Sequence, residues 1–148
     1  MHSDRYTPPS APSPPDPDIV AISMRIDTES DVAAICRAVR ALAERMAFSR
    51  SAAYSLATAA SELATNLLIH AGGGQLQVAP LTGMRTGIEL LAEDHGPGIG
   101  DLALALTDGY STAGGLGCGL PGVDRLMDLC DIDSVPGHGT RVRAVKWR

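Results

Sequence analysis

From Val20 the chain alternates: Val20, Ile22, Met24 and Ile26 are apolar, and the residues between them are small or polar. A period of two predicts a strand with one buried face. Asp27-Thr28-Glu29-Ser30-Asp31 then supplies capping side chains and first-turn acids for a helix. Its apolar positions, Val32, Ile35, Cys36, Val39, Leu42, Ala43 and Met46, follow the three-four spacing of a buried helical face. A second helix is predicted from about Ser51 to Ala71, with Leu56, Ala60, Leu63 and Leu67 inward, and Gly72-Gly73-Gly74 to stop it.

Two strands are expected next, Gln75–Leu81 and Arg85–Glu93, joined through Thr82-Gly83-Met84. A glycine-rich stretch from Gly96 to Gly119 follows, interrupted by a short apolar-periodic piece at Leu102–Leu106. Pro121 suits the first turn of another helix, where its missing N–H leaves nothing unsatisfied. Val123, Leu126, Met127 and Cys130 would form the inner face of that helix. Asp131–Val135, a turn at Pro136-Gly137-His138-Gly139 and a last strand Arg141–Trp147 close the chain. Helices and hairpins are segregated along the sequence. The expected fold is therefore a two-layer α/β (α+β) sandwich, with a mixed, mostly antiparallel sheet and helices on one face.

Composition changes this picture at the N-terminus. Residues 1–18 hold seven of the ten prolines among Ser, Thr and Asp, and such a segment has little to bury. It reads as a disordered tail, which leaves 19–148 as one domain. With 45% hydrophobic but only 3% aromatic residues, the core must rest on Leu, Val, Ile, Met and Ala. The net charge is −5, and no block of Lys and Arg stands out, so neither nucleic acid nor anionic lipid is an expected partner. No apolar run reaches the roughly 18 residues a membrane span needs, and no signal segment opens the chain. Cys36, Cys118 and Cys130 are scattered, as reduced thiols are. These features together predict a cytoplasmic protein.

Four short motifs carry candidate chemistry. Glu62 and Asn66 are neighbours on one face of the second helix, beside the buried Leu63/Leu67 stripe, and His70 continues that face. A carboxylate and an amide oxygen there suit a hard cation such as Mg²⁺. Asp94 leaves a strand into His95-Gly96-Pro97-Gly98, where an acid can accept from an amino group and Gly98 lets a flat ring approach the backbone. Gly114-Gly115-Leu116-Gly117-Cys118-Gly119 runs into the Pro121 helix, and amides at a helix N-terminus form an anion nest. Gly139-Thr140 opens the last strand. The chain's one lysine is Lys146, so the glycine run is no Walker loop. It lacks the βαβ setting of a Rossmann fingerprint as well.

Taken in order, E-x-x-x-N, D-x-G-x-G, G-x-G-x-G and G-x-G-T resemble the motif set of the GHKL superfamily. The segment from Asp108 to Val123 is similar to that of the RsbT-type serine/threonine switch kinases, relatives of the anti-sigma-factor kinases. The resemblance covers about residues 19–148. It implies a Bergerat nucleotide fold that binds ATP and Mg²⁺, with Asn66 as the metal ligand and Glu62 as the base. Asp94 would read the adenine amino group, Gly98 would shape that pocket, and Thr140 would assist at the base. Gly115, Gly117 and Gly119 would close over the phosphates, under a lid at 101–113. The implied substrate is a STAS-domain protein, with a downstream phosphatase or a sigma factor as a further partner, and a homodimer stays open. The competing expectation is a nucleotide-tuned binding module, an anti-sigma factor or partner-switching protein acting by sequestration. A sensor kinase's catalytic part is less expected, because only one strand and one helix precede the Glu62 helix. A larger GHKL ATPase is less expected because no transducer domain follows.

Overall fold

The computed structural model describes residues 16, 17, 19–95 and 119–148. The proline-rich tail and the 101–113 lid predicted above therefore lie outside the described residues, apart from Asp16 and Pro17. Eight elements follow one another: β1 (Ile22–Ile26), α1 (Glu29–Arg45), α2 (Arg50–Ala71), β2 (Gly74–Leu81), β3 (Gly87–Glu93), α3 (Gly119–Leu126), β4 (Leu129–Val135) and β5 (Gly139–Trp147). The strands form one sheet in the order β1-β2-β3-β5-β4. Every pairing among these strands is antiparallel.

Local chemistry explains where the helices begin and end. Thr28 caps α1: its hydroxyl accepts from the Asp31 amide at 3.3 Å, while the Asp31 carboxylate accepts from the Thr28 amide at 3.0 Å and the Asp27 amide at 2.9 Å. These reciprocal bonds hold the Asp31 carboxyl below its usual range, with the Asp27 amide the largest cause. Ser49 caps α2 by accepting from the Ala52 amide at 3.1 Å. Gly72, at φ 69°, ends α2 in the left-handed conformation that glycine adopts most readily.

On all five strands the side chains turned toward the helices carry even numbers. Leu76, Val78, Ile88, Leu90, Ala92, Val142 and Ala144 share one core with Ile35, Val39 and Leu42 of α1 and Leu56, Ala60, Leu63 and Leu67 of α2. The other face is lined by ion pairs, which suit a solvated surface: Arg143 with Glu89 at 2.6 Å and Asp131 at 3.8 Å, and Arg141 with Glu93 at 3.6 Å. The expected two layers are present, with the helices on one face. No described helix is long and apolar enough to cross a membrane.

One boundary differs from expectation. Val123, Leu126, Met127 and Cys130 all pack on the core, but α3 ends at Leu126 and Cys130 belongs to β4, opposite Ala144. Asp128 causes the break. Its amide donates to the Val145 carbonyl at 2.8 Å and its carboxylate accepts from the Trp147 amide at 2.7 Å. These bonds draw the chain into the sheet one turn early.

Candidate functional site

β3 and β5 are neighbours in the sheet, and the pairing runs from Gly87↔Trp147 to Glu93↔Arg141. The next residues, Asp94 and Thr140, continue that ladder past the end of β3. The Asp94 amide donates to the Thr140 carbonyl at 3.0 Å, and the Thr140 amide donates to Asp94 Oδ1 at 3.3 Å. By alternation both side chains lie on the helix-facing side, in line with Ala92 and Val142.

Gly139 makes this approach sterically feasible. It is buried, sits at φ +110°, and a Cβ there would overlap the Asp94 carbonyl oxygen and lie 2.9 Å from the His95 Cα. Gly74 does the same one strand away: a Cβ on it would meet Leu67 Cδ2 at 2.7 Å and the Asp94 Cβ at 3.4 Å. Two glycines without side chains thus let α2, β2 and β5 converge on Asp94.

The α2 face above this point carries Glu62, Asn66 and His70, each half-buried. Successive members are one turn apart, about 6 Å along the axis, so Glu62 stands roughly 12 Å from His70. The amide nitrogen of Asn66 and Nε2 of His70 are buried and have no hydrogen-bond partner among the described residues. Burial lowers the His70 imidazole from its ordinary value, and the Asp94 carboxylate opposes this by raising it. His70 therefore ties the helix face electrostatically to the end of the sheet. An unpartnered buried amide normally costs free energy, so Asn66 is suited to a ligand from outside the chain.

Asn66 also fits a divalent cation. A half-turn of its amide puts the oxygen where the nitrogen stands, and Mg²⁺ commonly takes one or two protein oxygens beside those of a bound phosphate. No cluster of three or more His, Cys, Asp or Glu suited to a metal occurs among the described residues, so such an ion would depend on Asn66 and the phosphates.

The structure thus brings Asp94, Thr140 and His70 together and sets Asn66 and Glu62 along the adjoining helix. Gly98, Gly115 and Gly117 lie outside the described residues. Gly119 opens α3, as an anion nest at a helix N-terminus requires. A cavity of about 160 Å³ at this end of the sheet is lined by Glu93, Asp94, His95, His138, Gly139 and Thr140, among others. This is smaller than the roughly 300–1,000 Å³ of common ligand pockets, and it represents one wall of a site. A roomier groove of about 500 Å³ lies between α1 and α2, beside Val32, Cys36, Thr65 and Ile69. None of the site residues lines it.

One member was missed in the sequence. Ser134 of β4 stands opposite Thr140, and the two hydroxyls are 2.9 Å apart. Pairing Val135 with Gly139 around the predicted turn would have found it.

With this geometry in place, the comparisons with known proteins can be stated. The model of the histidine kinase-like ATPase domain matches residues 26–146. The serine/threonine-protein kinase RsbT of Bacillus subtilis is 43% identical over 125 residues, which is 84% of this chain and 94% of that protein. The anti-sigma F factor of a Thermoanaerobacter species is 30% identical over 95 residues, 61% of this chain and 66% of that protein. Among solved structures, the SiaB-SiaC complex from Pseudomonas aeruginosa aligns with a TM-score of 0.55 at 11% identity, covering 88% of this chain and 92% of that one. The mycobacterial sensor histidine kinase MprB aligns at 0.52 and 20% identity, covering 85% and 97%. At these identities the structures speak for the fold alone.

Proposed function

The chain belongs to the histidine kinase-like ATPase domain family, and from that premise we propose that it is a protein serine/threonine kinase acting on a partner protein in a partner-switching system. The observation that carries this reading is the union of Asp94, Gly139 and Thr140 at the sheet's end with the Glu62–Asn66–His70 face of α2. Similarity to a serine/threonine-protein kinase over most of both chains supports it.

Each residue has a stated task. Asp94 accepts a hydrogen bond from the amino group of adenine, and Thr140 contacts the same base. Gly98 leaves room for the ring, and Gly115, Gly117 and Gly119 offer amides to the phosphates. The roughly 12 Å between His70 and Glu62 accommodates an extended triphosphate, with its terminal group near Glu62. Asn66 would hold Mg²⁺, which neutralises phosphate charge when bound.

The reaction joins a serine or threonine oxygen of the partner to the γ-phosphorus of ATP. The bond from that phosphorus to the bridging oxygen breaks, ADP leaves with the electron pair, and the hydroxyl proton passes to Glu62. A carboxylate with a pKa of about 4 is a weak base toward a hydroxyl. Glu62 therefore orients the nucleophile and takes its proton late, an effect of roughly 10²–10⁴ in rate. The partner we propose is a STAS-domain protein, and the compartment is the cytoplasm.

The test is incubation with labelled ATP, Mg²⁺ and candidate STAS proteins. A phosphorylated serine or threonine on the partner is expected. Tight partner binding with no transfer would overturn the kinase reading. It would favour a nucleotide-tuned sequestering module, the alternative that similarity to an anti-sigma factor supports.

A further inference from the structure

β4 contributes one side chain to the base end of the site, and its placement follows from strand register. The β4–β5 hairpin pairs Val135 with Gly139 and Ser134 with Thr140. Ser134 lies on the helix-facing side with Ile132, as Thr140 does with Val142. Ser134 Oγ and Thr140 Oγ1 are 2.9 Å apart, and either can be the donor. Ser134 Oγ also lies 3.4 Å from the Gly139 carbonyl, to which it can donate. Thr140 is held by its amide to Asp94 Oδ1, so its backbone is fixed and only its hydroxyl proton is free to choose a direction.

A hydroxyl has one proton and two lone pairs. If Ser134 turns its proton to the Gly139 carbonyl, Thr140 must donate across the 2.9 Å contact and meets the site as an acceptor. If Ser134 donates to Thr140, the Thr140 proton is released toward the site. The contact to Thr140 is shorter by half an ångström than the one to Gly139, and an O–H···O bond near 2.8 Å is much the stronger. The second arrangement therefore prevails, and Thr140 presents a donor.

We propose that Ser134 is a positioning residue that fixes the Thr140 hydroxyl as a donor, and so favours a purine with a ring-nitrogen acceptor beside its amino group. This rests on the reading of Asp94 and Thr140 as the base end of an ATP site. Adenine has that pair in its 6-amino group and N1, so Asp94 accepts from one and Thr140 donates to the other, directly or through one water. Guanine has a carbonyl and a ring N–H at those positions, and both are mismatched.

The experiment measures binding of ATP and of 1-deaza-ATP, in which N1 is replaced by C–H, to the full chain with Mg²⁺. The variants are Ser134→Ala, Ser134→Val, Ser134→Thr and Thr140→Val. Wild type should prefer ATP by roughly three- to tenfold, the value of one hydrogen bond. Ser134→Ala and Ser134→Val should bring this ratio close to one while leaving the 1-deaza-ATP affinity unchanged, which a structural loss would not do. Ser134→Thr, which keeps a hydroxyl, should restore the ratio. If Thr140→Val abolishes the preference but Ser134→Ala and Ser134→Val keep it, the role of Ser134 is refuted and the ATP reading stands. If wild type binds no ATP, or binds both nucleotides equally, the base-end assignment fails and the proposal falls with it.

Discussion

Asp94 and Thr140 hold each other by two hydrogen bonds of different kinds, one from amide to carbonyl at 3.0 Å and one from amide to carboxylate at 3.3 Å. The first is an ordinary sheet bond. The second fixes the orientation of a carboxylate just beyond the last residue of β3, in a preorganised state that a ligand does not have to create.

Replacing the charge while keeping the shape tests this group. A hydrogen bond to a charged partner contributes about 1.5–3 kcal/mol. Asp94→Asn should weaken ATP binding by roughly ten- to hundredfold, as read by calorimetry. Equal affinity in the variant would remove Asp94 from the base end.

Glu62 and Asn66 share a helix face but should fail differently. Glu62→Ala is expected to keep Mg²⁺-ATP binding and to lose about 10²–10⁴ in transfer rate. Asn66→Ala should lose Mg²⁺-dependent binding and transfer together. Comparing nucleotide titrations with single-turnover transfer separates the two, and an identical defect in both variants would contradict the assigned roles.

Two glycines of one turn give a stability contrast. Gly137 has φ +82° with open space around its Cβ position, whereas Gly139 has φ +110° and faces the Asp94 carbonyl. Gly137→Ala should cost about 1 kcal/mol for the backbone alone. Gly139→Ala should cost more than about 2 kcal/mol, lowering Tm by roughly 5 °C or more. Thermal melts of the two variants check the order, and equal melting points would show that the close approach can relax freely.

His70 predicts a pH dependence. Its folded value lies below the ordinary 6.5, with burial the main cause and Asp94 opposing it. The folded chain thus binds this proton less tightly than the unfolded chain does. The contribution of the neutral ring is fully present above about pH 6.5 and is lost as pH falls toward the folded value. Denaturant titrations at pH 7.5 and pH 5 should show a larger loss for wild type than for His70→Gln. Parallel losses in the two proteins would exclude His70 as the source.

Much of this was legible in the residues. The alternation of Val20 to Ile26, the Thr28 and Asp31 cap and the glycine stop at 72 each pointed to the element that forms. The Glu62/Asn66/His70 spacing placed those side chains on one face before any tertiary contact was known. Cys130 was misassigned because helical spacing continues through it; only the capture of Asp128 by Val145 and Trp147, a long-range event, ends α3 earlier. Ser134 escaped notice for a related reason. Its meaning depends on the residue across the strand, and periodicity along one strand does not report on its neighbour.

The seam between β3 and β5 has a consequence for how the chain folds. Asp94 and Thr140 are 46 residues apart in sequence, whereas β2–β3 and β4–β5 are each joined by a short turn. The two hairpins need only local closure, but the seam requires a long loop to be drawn in at an entropic penalty that grows slowly with its length. Added residues between Glu93 and Gly119 should therefore slow the closing step only slightly. A half-assembled chain would have both hairpins and no Asp94–Thr140 pair. Nucleotide binding through that pair would report on completed closure, and a ligand at a hundred times its Kd would hold the seam shut by about 2.7 kcal/mol.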